Sequence, residues 1–427
     1  MIDRLTPPEF RQVTKVDLQK SVDQKLDNGM PLYVVNAGTQ EVMKIEFIFN
    51  AGMRNREYPM VASAVNDMLD EGTASRKSMD IAEELDFYGA FIESEVTHDH
   101  AIFTLWTLNK YLDESLAIVK DVLFNAAFPE EEFGIYLDNR KQKFIVDSDK
   151  VSTLARRRFT ELLYGEHHAY GVSTKLADFS RITRNELQAF HKEFYHAGNG
   201  CILVSGNTPS DLVKKLNTHF GGAEWKRNAG IVPAITVPAT TSQRENLVRK
   251  DGAIQSAIRV GKLLFNREHK DYPAMQVLNC VLGGYFGSRL MANIREDKGY
   301  TYGIGSGLAS MVDGGYFYIS TEVGVDVTGA ALKEIYFEIE KLRNDIVPAD
   351  ELDLVRNYMT GVFLRSTDGP FAMADRKRAL IGYNLGYDYY DRYLETIRTV
   401  SAQELRELAQ KHWGKEELIE LVAGEKK

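Results

Sequence analysis

Landmarks in the first half of this 427-residue chain recur, in the same order, in the second half, and self-similarity on that scale restricts a fold more than any single motif does. Arg56-Glu57-Tyr58-Pro59 precedes an apolar helical run, and Lys270-Asp271-Tyr272-Pro273 precedes another at an offset of 214 residues; Tyr88-Gly89 and Tyr302-Gly303 keep that offset. Pro129 in FPEEEF pairs with Pro348 in VPADEL, ITRNEL from Ile182 with VSAQEL from Val400, and Gly206 with Gly424, at offsets of 218 or 219. Collinear matches at half the chain length imply two homologous domains, 1–220 and 246–427. Residues 221–245, with Gly221, Gly222, Gly230, Pro233 and Pro238 and no helical period, read as the linker between them.

Each half follows the plan strand, strand, helices, strand, strand, then several helices and a last strand. Stretches 32–37, 43–50 and 102–108 are β-rich, whereas Leu112, Leu116, Val119 and Leu123 fall on one helical stripe. Thr183-x-x-Glu186 and Ser401-x-x-Glu404 predict capping boxes at equivalent helix starts. Hairpin-joined strands with helices grouped after them predict an α+β fold of two α/β-layer domains, not a doubly wound parallel sheet. With 44% hydrophobic and 26% charged residues the chain is neither disordered nor a multi-span membrane protein, and a net charge of −9 argues against nucleic acid or anionic lipid as partner. Cys201 and Cys280 lie in apolar runs and read as buried thiols, which excludes a disulfide framework. The first residues carry Asp3, Glu9 and two prolines without the apolar run of a signal peptide, so a cytoplasmic location is expected.

The most informative stretch is 282–307, LGGYFGSRLMANIREDKGYTYGIGSG. Gly283, Gly284 and Gly287 lack both the lysine-hydroxyl pair of a phosphate loop and the G-x-G-x-x-G order, which argues against a nucleotide. They are expected to end one helix, with Ser288 capping the next over 289–296 and a strand following over 300–304. Arg295 and Tyr302 then flank one reversal, where a guanidinium fork and a phenol could reach a carbonyl oxygen or an oxyanion. A surface arginine paired with Glu296 or Asp297, beside an ordinary sheet tyrosine, is the plainer reading of the same residues.

The run L-G-G-x-x-x-S-R-L-x-x-x-I-R-E-x-x-G-Y-x-Y resembles the second-domain hallmark of the insulinase/pitrilysin family of zinc metallopeptidases, the inverzincins with an H-x-x-E-H motif. The first half agrees, from Leu26-Asp27-Asn28-Gly29 to Asp70-Glu71-Gly72-Thr73, and the resemblance covers essentially the whole chain. It implies a mitochondrial-processing-peptidase-like fold whose halves close as a clam shell on a peptide-sized chamber. It also implies that Arg295 and Tyr302 contact the substrate backbone, and that the strand around Gly89, Ala90, Phe91, Ile92 and Glu93 binds peptide by adding it to the sheet.

The metal motif departs from the family. Counting back ten residues from Thr73 puts Ser63, Ala64, Val65, Asn66 and Asp67 where H-x-x-E-H would stand. The helix over 132–161 that should supply a third ligand has no Glu or His in its interior. Serine, asparagine and one carboxylate do not make a catalytic zinc site, so no metal or other cofactor is expected on this chain. His98 and His100, expected on a strand, and the tandem His167-His168 lack a positioned glutamate and read as surface histidines. His191 and His196, five apart, do not share a helical face. The resulting expectation is a non-catalytic subunit that binds peptide and lends Arg295 and Tyr302 to a homologous H-x-x-E-H subunit carrying the zinc. The alternatives are a structural or peptide-binding protein with no part in proteolysis and, ranked last, a metallopeptidase using Asp67 and His98.

Overall fold

A computed structural model of the protein describes residue 16 and residues 18–55, 59–227, 235–236 and 243–426. Arg56, Glu57 and Tyr58 of the first landmark, and 228–234 and 237–242 of the linker, lie outside the described residues.

The first half opens with β1 (Val22–Lys25), β2 (Pro31–Asn36) and β3 (Val42–Phe49), passes through α1 (Met60–Asp67) and α2 (Ser78–Phe87), and returns as the hairpin β4 (Phe91–Val96) and β5 (Ala101–Leu108). Helices α3 (Leu112–Asn125), α4 (Glu130–Ser148), α5 (Val151–Tyr164), α6 (Asp178–Arg181) and α7 (Arg184–Phe194) lead to β6 (Gly200–Gly206) and α8 (Leu212–Phe220). The second half repeats the plan with β7 (Glu245–Arg249), β8 (Gln255–Leu264), α9 (Tyr272–Asn279), β9 (Ile304–Met311) and β10 (Gly314–Gly324). It closes with α10 (Thr328–Asn344), α11 (Ala349–Arg365), α12 (Gly369–Ile381), α13 (Asp388–Thr399), α14 (Ala402–His412) and β11 (Ile419–Gly424).

The sheet orders are β1-β2-β6-β3-β5-β4 and β7-β11-β8-β10-β9, identical apart from the extra β1. The last strand of each half inserts centrally, β6 parallel to β2 and β11 parallel to β7. Both inserted strands end on the landmark glycines, Gly206 at φ 125° and Gly424 at φ 128°, a region that L side chains rarely enter. A Cβ at Gly206 would also lie 2.3 Å from the Val42 carbonyl oxygen. The two capping boxes are present. The Glu186 N–H donates to the Thr183 hydroxyl and the Thr183 N–H to the Glu186 carboxylate, and Ser401 and Glu404 repeat the exchange. Pro129 and Pro348 stand at the N-caps of α4 and α11.

One face of each sheet packs against helices of its own half, around Phe47, Phe103 and Phe190 in the first and Phe317, Ile335 and Trp413 in the second. The opposite faces are covered by exchange. Helix α5 crosses to β8 and β11, burying Ala155, Phe159 and Leu163 against Ala257, Leu421 and Ala423. Helix α12 crosses back to β2 and β6, where Ala374 meets Val35, Ile48 and Leu203. Arg54 locks the seam, 2.8 Å from Asp99 of its own half and 2.7 Å from Asp313 of the other, while the Tyr170 hydroxyl donates to Asp99 at 2.6 Å. Both cysteines are free and buried, and burial pushes each thiol up to about 12. Among the described residues no helix is long and apolar enough to cross a membrane.

Three local expectations are corrected. The segment from Met291 to Asp297 is helical but wound as a π-helix, as is the preceding Cys280–Gly284. The Ser288 hydroxyl makes no cap and is buried without a partner; the Ala292 N–H binds the Ser288 backbone carbonyl instead. The strand expected over 300–304 starts only at Ile304, because Tyr300 to Gly303 are used in the loop that returns the chain from the π-helix.

Candidate functional site

Helix α1 carries the degenerate metal positions. Ser63 is half-buried, while Asn66 is fully buried and makes three hydrogen bonds: its amide donates to the carbonyls of Glu95 and Ile102, both at 3.2 Å, and its oxygen accepts from the Tyr195 hydroxyl at 3.0 Å. Both donors and one of the two oxygen lone pairs are engaged, which fixes the side chain in the fold and leaves only a neutral amide lone pair, a poor ligand for Zn²⁺. The Ser94 hydroxyl adds a bond to the Asn66 backbone carbonyl. The second half repeats the stitch, with the Asn279 amide on the Ser306 carbonyl and the Ser306 hydroxyl on the Asn279 carbonyl. An asparagine at this point therefore ties a helix to its sheet in both halves.

Asp67 accepts from the Tyr136 hydroxyl at 3.0 Å and lies 3.5 Å from Arg140, so α4 fills the space before Asp67 with a phenol and a cation. Burial first, then the Asp67 charge, pushes the Tyr136 hydroxyl well above its ordinary range. Burial likewise lifts Asp70, one turn further on, to about 6, with Glu71 and Asp67 adding to the shift. A hydroxyl, a neutral buried amide and a carboxylate paired with an arginine do not fit Zn²⁺, which needs three anionic or imidazole ligands. Among the described residues no group of three His, Cys, Asp or Glu side chains is clustered for a metal ion.

Of the two histidine pairs weighed as ligands, His98, His100 and His168 are structural. His98 and His100 occupy the turn between β4 and β5, not a strand; burial lowers both imidazoles, and the His98 ring meets Tyr170 edge-on. Their strand assignment failed because Thr97 turns the chain, its hydroxyl accepting from the N–H groups of Asp99 and His100. His168 stacks on Tyr164 and bonds the Thr236 carbonyl, whereas His167 is exposed.

Arg295 and Tyr302 sit at the opposite ends of one reversal. The Tyr300 N–H closes it onto the Ile294 carbonyl, and Gly299 supplies the positive φ of 66° that the turn requires. Thr301 anchors the loop by donating to the Glu322 carbonyl at 2.7 Å, which leaves Tyr302 96% exposed and without a hydrogen bond among the described residues. The Arg295 guanidinium rests 4.6 Å over the Phe286 ring, with Glu296 no closer than 3.9 Å. No hydrogen bond joins Arg295 to Tyr302. Each is nonetheless open to an incoming acceptor.

Strand β4 is an edge strand pairing only with β5, as its assignment to peptide addition requires. Gly89, at φ 62°, and buried Ala90 belong to the turn before it; Phe91, Ile92 and Glu93 lie in the strand. Its outer face carries an aromatic stack. Phe91 stacks on Trp106, Trp106 meets Phe371 of α12 edge-on at 4.8 Å, and the Trp106 N–H donates to Glu93 at 2.6 Å. Sequence reading missed the Tyr302 surroundings, a cavity of about 390 Å³ lined by Ser152, Arg259, Ser320 and Glu322 as well as Tyr302. Its sequence signal was Arg259, a charge set between apolar Ile258 and Val260 in strand β8.

Comparison with known proteins agrees with this geometry. Residues 34–166 match the model for insulinase (peptidase family M16), and residues 181–359 the model for the peptidase M16 inactive domain. An uncharacterized zinc protease of Rickettsia felis is 25% identical over 91% of this chain and 93% of its own length. Another from Bacillus subtilis is 22% identical over 93% and 96%. Among solved structures, the peptidase M16 inactive domain from Pseudomonas fluorescens superposes with TM-score 0.86 at 24% identity, covering 95% of this chain and 98% of that one. A protease from Helicobacter pylori gives 0.86 at 19% identity, covering 95% and 100%. The chain belongs to the insulinase family, peptidase family M16, as a pseudopeptidase-type member.

Proposed function

We propose that this chain is the non-catalytic subunit of a heteromeric zinc metalloendopeptidase, binding peptide and supplying Arg295 and Tyr302 to the active site of a homologous H-x-x-E-H partner. The observation that carries this reading is a contrast within one molecule. Asn66 and Asp67 are engaged by internal partners, whereas the Tyr302 hydroxyl stands in solvent with none among the described residues. A guanidinium and a phenol both donate hydrogen bonds, and such donors gain strength where negative charge develops on a carbonyl oxygen. That contribution is separable from the activation of water, which would belong to zinc on the partner. The open main-chain edge of β4, from Gly89 through Glu93, suits a peptide added as a further strand whatever its sequence. The proposed setting is cytoplasmic, with neither membrane nor nucleic acid as partner.

Co-expression with an H-x-x-E-H homologue tests the proposal. Arg295→Ala and Tyr302→Phe should each lower kcat/KM of the mixed complex by about 100-fold while leaving assembly intact. Unchanged activity in both variants would overturn it and favour a pseudopeptidase with no part in proteolysis.

A further inference from the structure

The two halves place equivalent residues at equivalent sheet edges, and the register identifies them. In the first half Lys44 pairs with Trp106, Glu46 with Thr104 and Phe91 with Trp106; in the second Ala257 pairs with Glu322 and Arg259 with Ser320, and the residue beside Glu322 just ahead of β9 is Gly303. Glu46 thus corresponds to Arg259, Trp106 to Glu322 and Phe91 to Gly303, so the register corrects by two residues the match of Gly89 to Gly303 expected from the sequence offset. Where the first half has two stacked rings, the second has a carboxylate and a glycine, and the 390 Å³ cavity occupies the difference. The covering helix follows suit, with Phe371 as third residue of α12 and Thr153 as third residue of α5.

The buried charges differ in the same way. Glu46, fully buried, has Lys44 at 3.2 Å and Arg378 at 2.9 Å. Arg259 lines the cavity with no carboxylate within 4 Å among the described residues; its guanidinium lies 5.5 Å from the Tyr318 ring centre, and Arg156 adds a second positive charge nearby. The only acid on the cavity wall, Glu322, is exposed and makes no ion pair with it. Ser152, Ser320 and Tyr302 line the same cavity as Arg259.

We infer that this cavity is a subsite for a peptide carboxylate, with Arg259 as its counter-ion and Tyr302 joining it to the reacting part of the peptide. A forked guanidinium in a partly desolvated pocket is suited to a planar carboxylate, and the volume is within the range of ligand pockets. The inference rests on the proposed peptide-binding role and narrows it to peptides presenting either a free C-terminus or an acidic side chain.

Fluorescence anisotropy of the full chain with three labelled decapeptides of otherwise identical sequence tests it: a free C-terminal acid, a C-terminal amide, and the amide carrying one internal glutamate. At least one carboxylate peptide should bind about tenfold more tightly than the neutral amide, and which one identifies the source of the carboxylate. Arg259→Gln should abolish that preference and Arg259→Lys should keep part of it. Ser320→Phe, which fills the cavity but leaves the guanidinium, should give the same selective loss and guards against a folding defect in the first variant. Equal binding of all three peptides, or a preference that survives Arg259→Gln, overturns the subsite and leaves the proposed function standing. No binding of any peptide overturns both.

Discussion

The face of the first sheet beneath α12 buries a carboxylate and surrounds it with cations; the matching face of the second, beneath α5, half-buries a guanidinium and leaves it without an anion among the described residues. Both sit on the same register of the same strand order. One backbone plan therefore carries a packed face, where Phe91, Trp106 and Phe371 fill the space between the rings, and a face with a cavity, where space and charge remain available. The lesson is that internal symmetry fixes the scaffold while side chains fill one copy of a face and leave the other open, with the main-chain edge of β4 free in either case.

The largest effect should come from unbalancing the packed face. Arg378→Ala removes one of the two cations from buried Glu46 and should cost about 3 kcal/mol in denaturant unfolding, whereas Arg259→Gln at the cavity should stay within about 1 kcal/mol. Equal losses would mean that both faces are structural. A second asymmetry lies at the helix ends: α9 runs on into the π-helical Cys280–Gly284, while α1 gives way to Asp70 and Glu71. Burial holds the Asp70 carboxyl up at about 6. A carboxyl raised by folding stabilises the native state when protonated, so its contribution is whole below about 3.8 and is lost as pH rises through about 6. Asp70→Asn should therefore unfold with about 1–3 kcal/mol more stability than the parent at pH 7.5 and with no advantage at pH 3.5. The smallest effect is expected from Gly303→Phe, which copies Phe91 into the open face. A Cβ there meets nothing within 4 Å, so stability should move by no more than about 0.5 kcal/mol while the cavity closes. A large destabilisation would show that the opening is a requirement of packing.

Much of this was legible because it is local. Thr183 with Glu186, and Ser401 with Glu404, sit three residues apart and form bonds within a single turn. The glycines ending β6 and β11 could be matched for the same reason. What could not be read depends on distant partners. The crossing of α5 and α12 is invisible in their sequences, since an apolar stripe specifies that a helix is buried and not which sheet receives it. The same holds for Asn66, which looked like a remnant of a metal motif until its bonds to Glu95, Ile102 and Tyr195, and the parallel role of Asn279, identified a structural tie. The cavity at Arg259 was hidden because it arises from what the second half lacks relative to the first.

The crossing helices carry one more consequence. If α5 and α12 were withdrawn, Leu421 and Ala423 on one side and Ile48 and Leu203 on the other would face water. Neither repeat could therefore stand as an autonomous unit, and melting should run as one cooperative event across all the strands. A protein nicked between its repeats would stay in one piece, each fragment gripped by an arm borrowed from its twin.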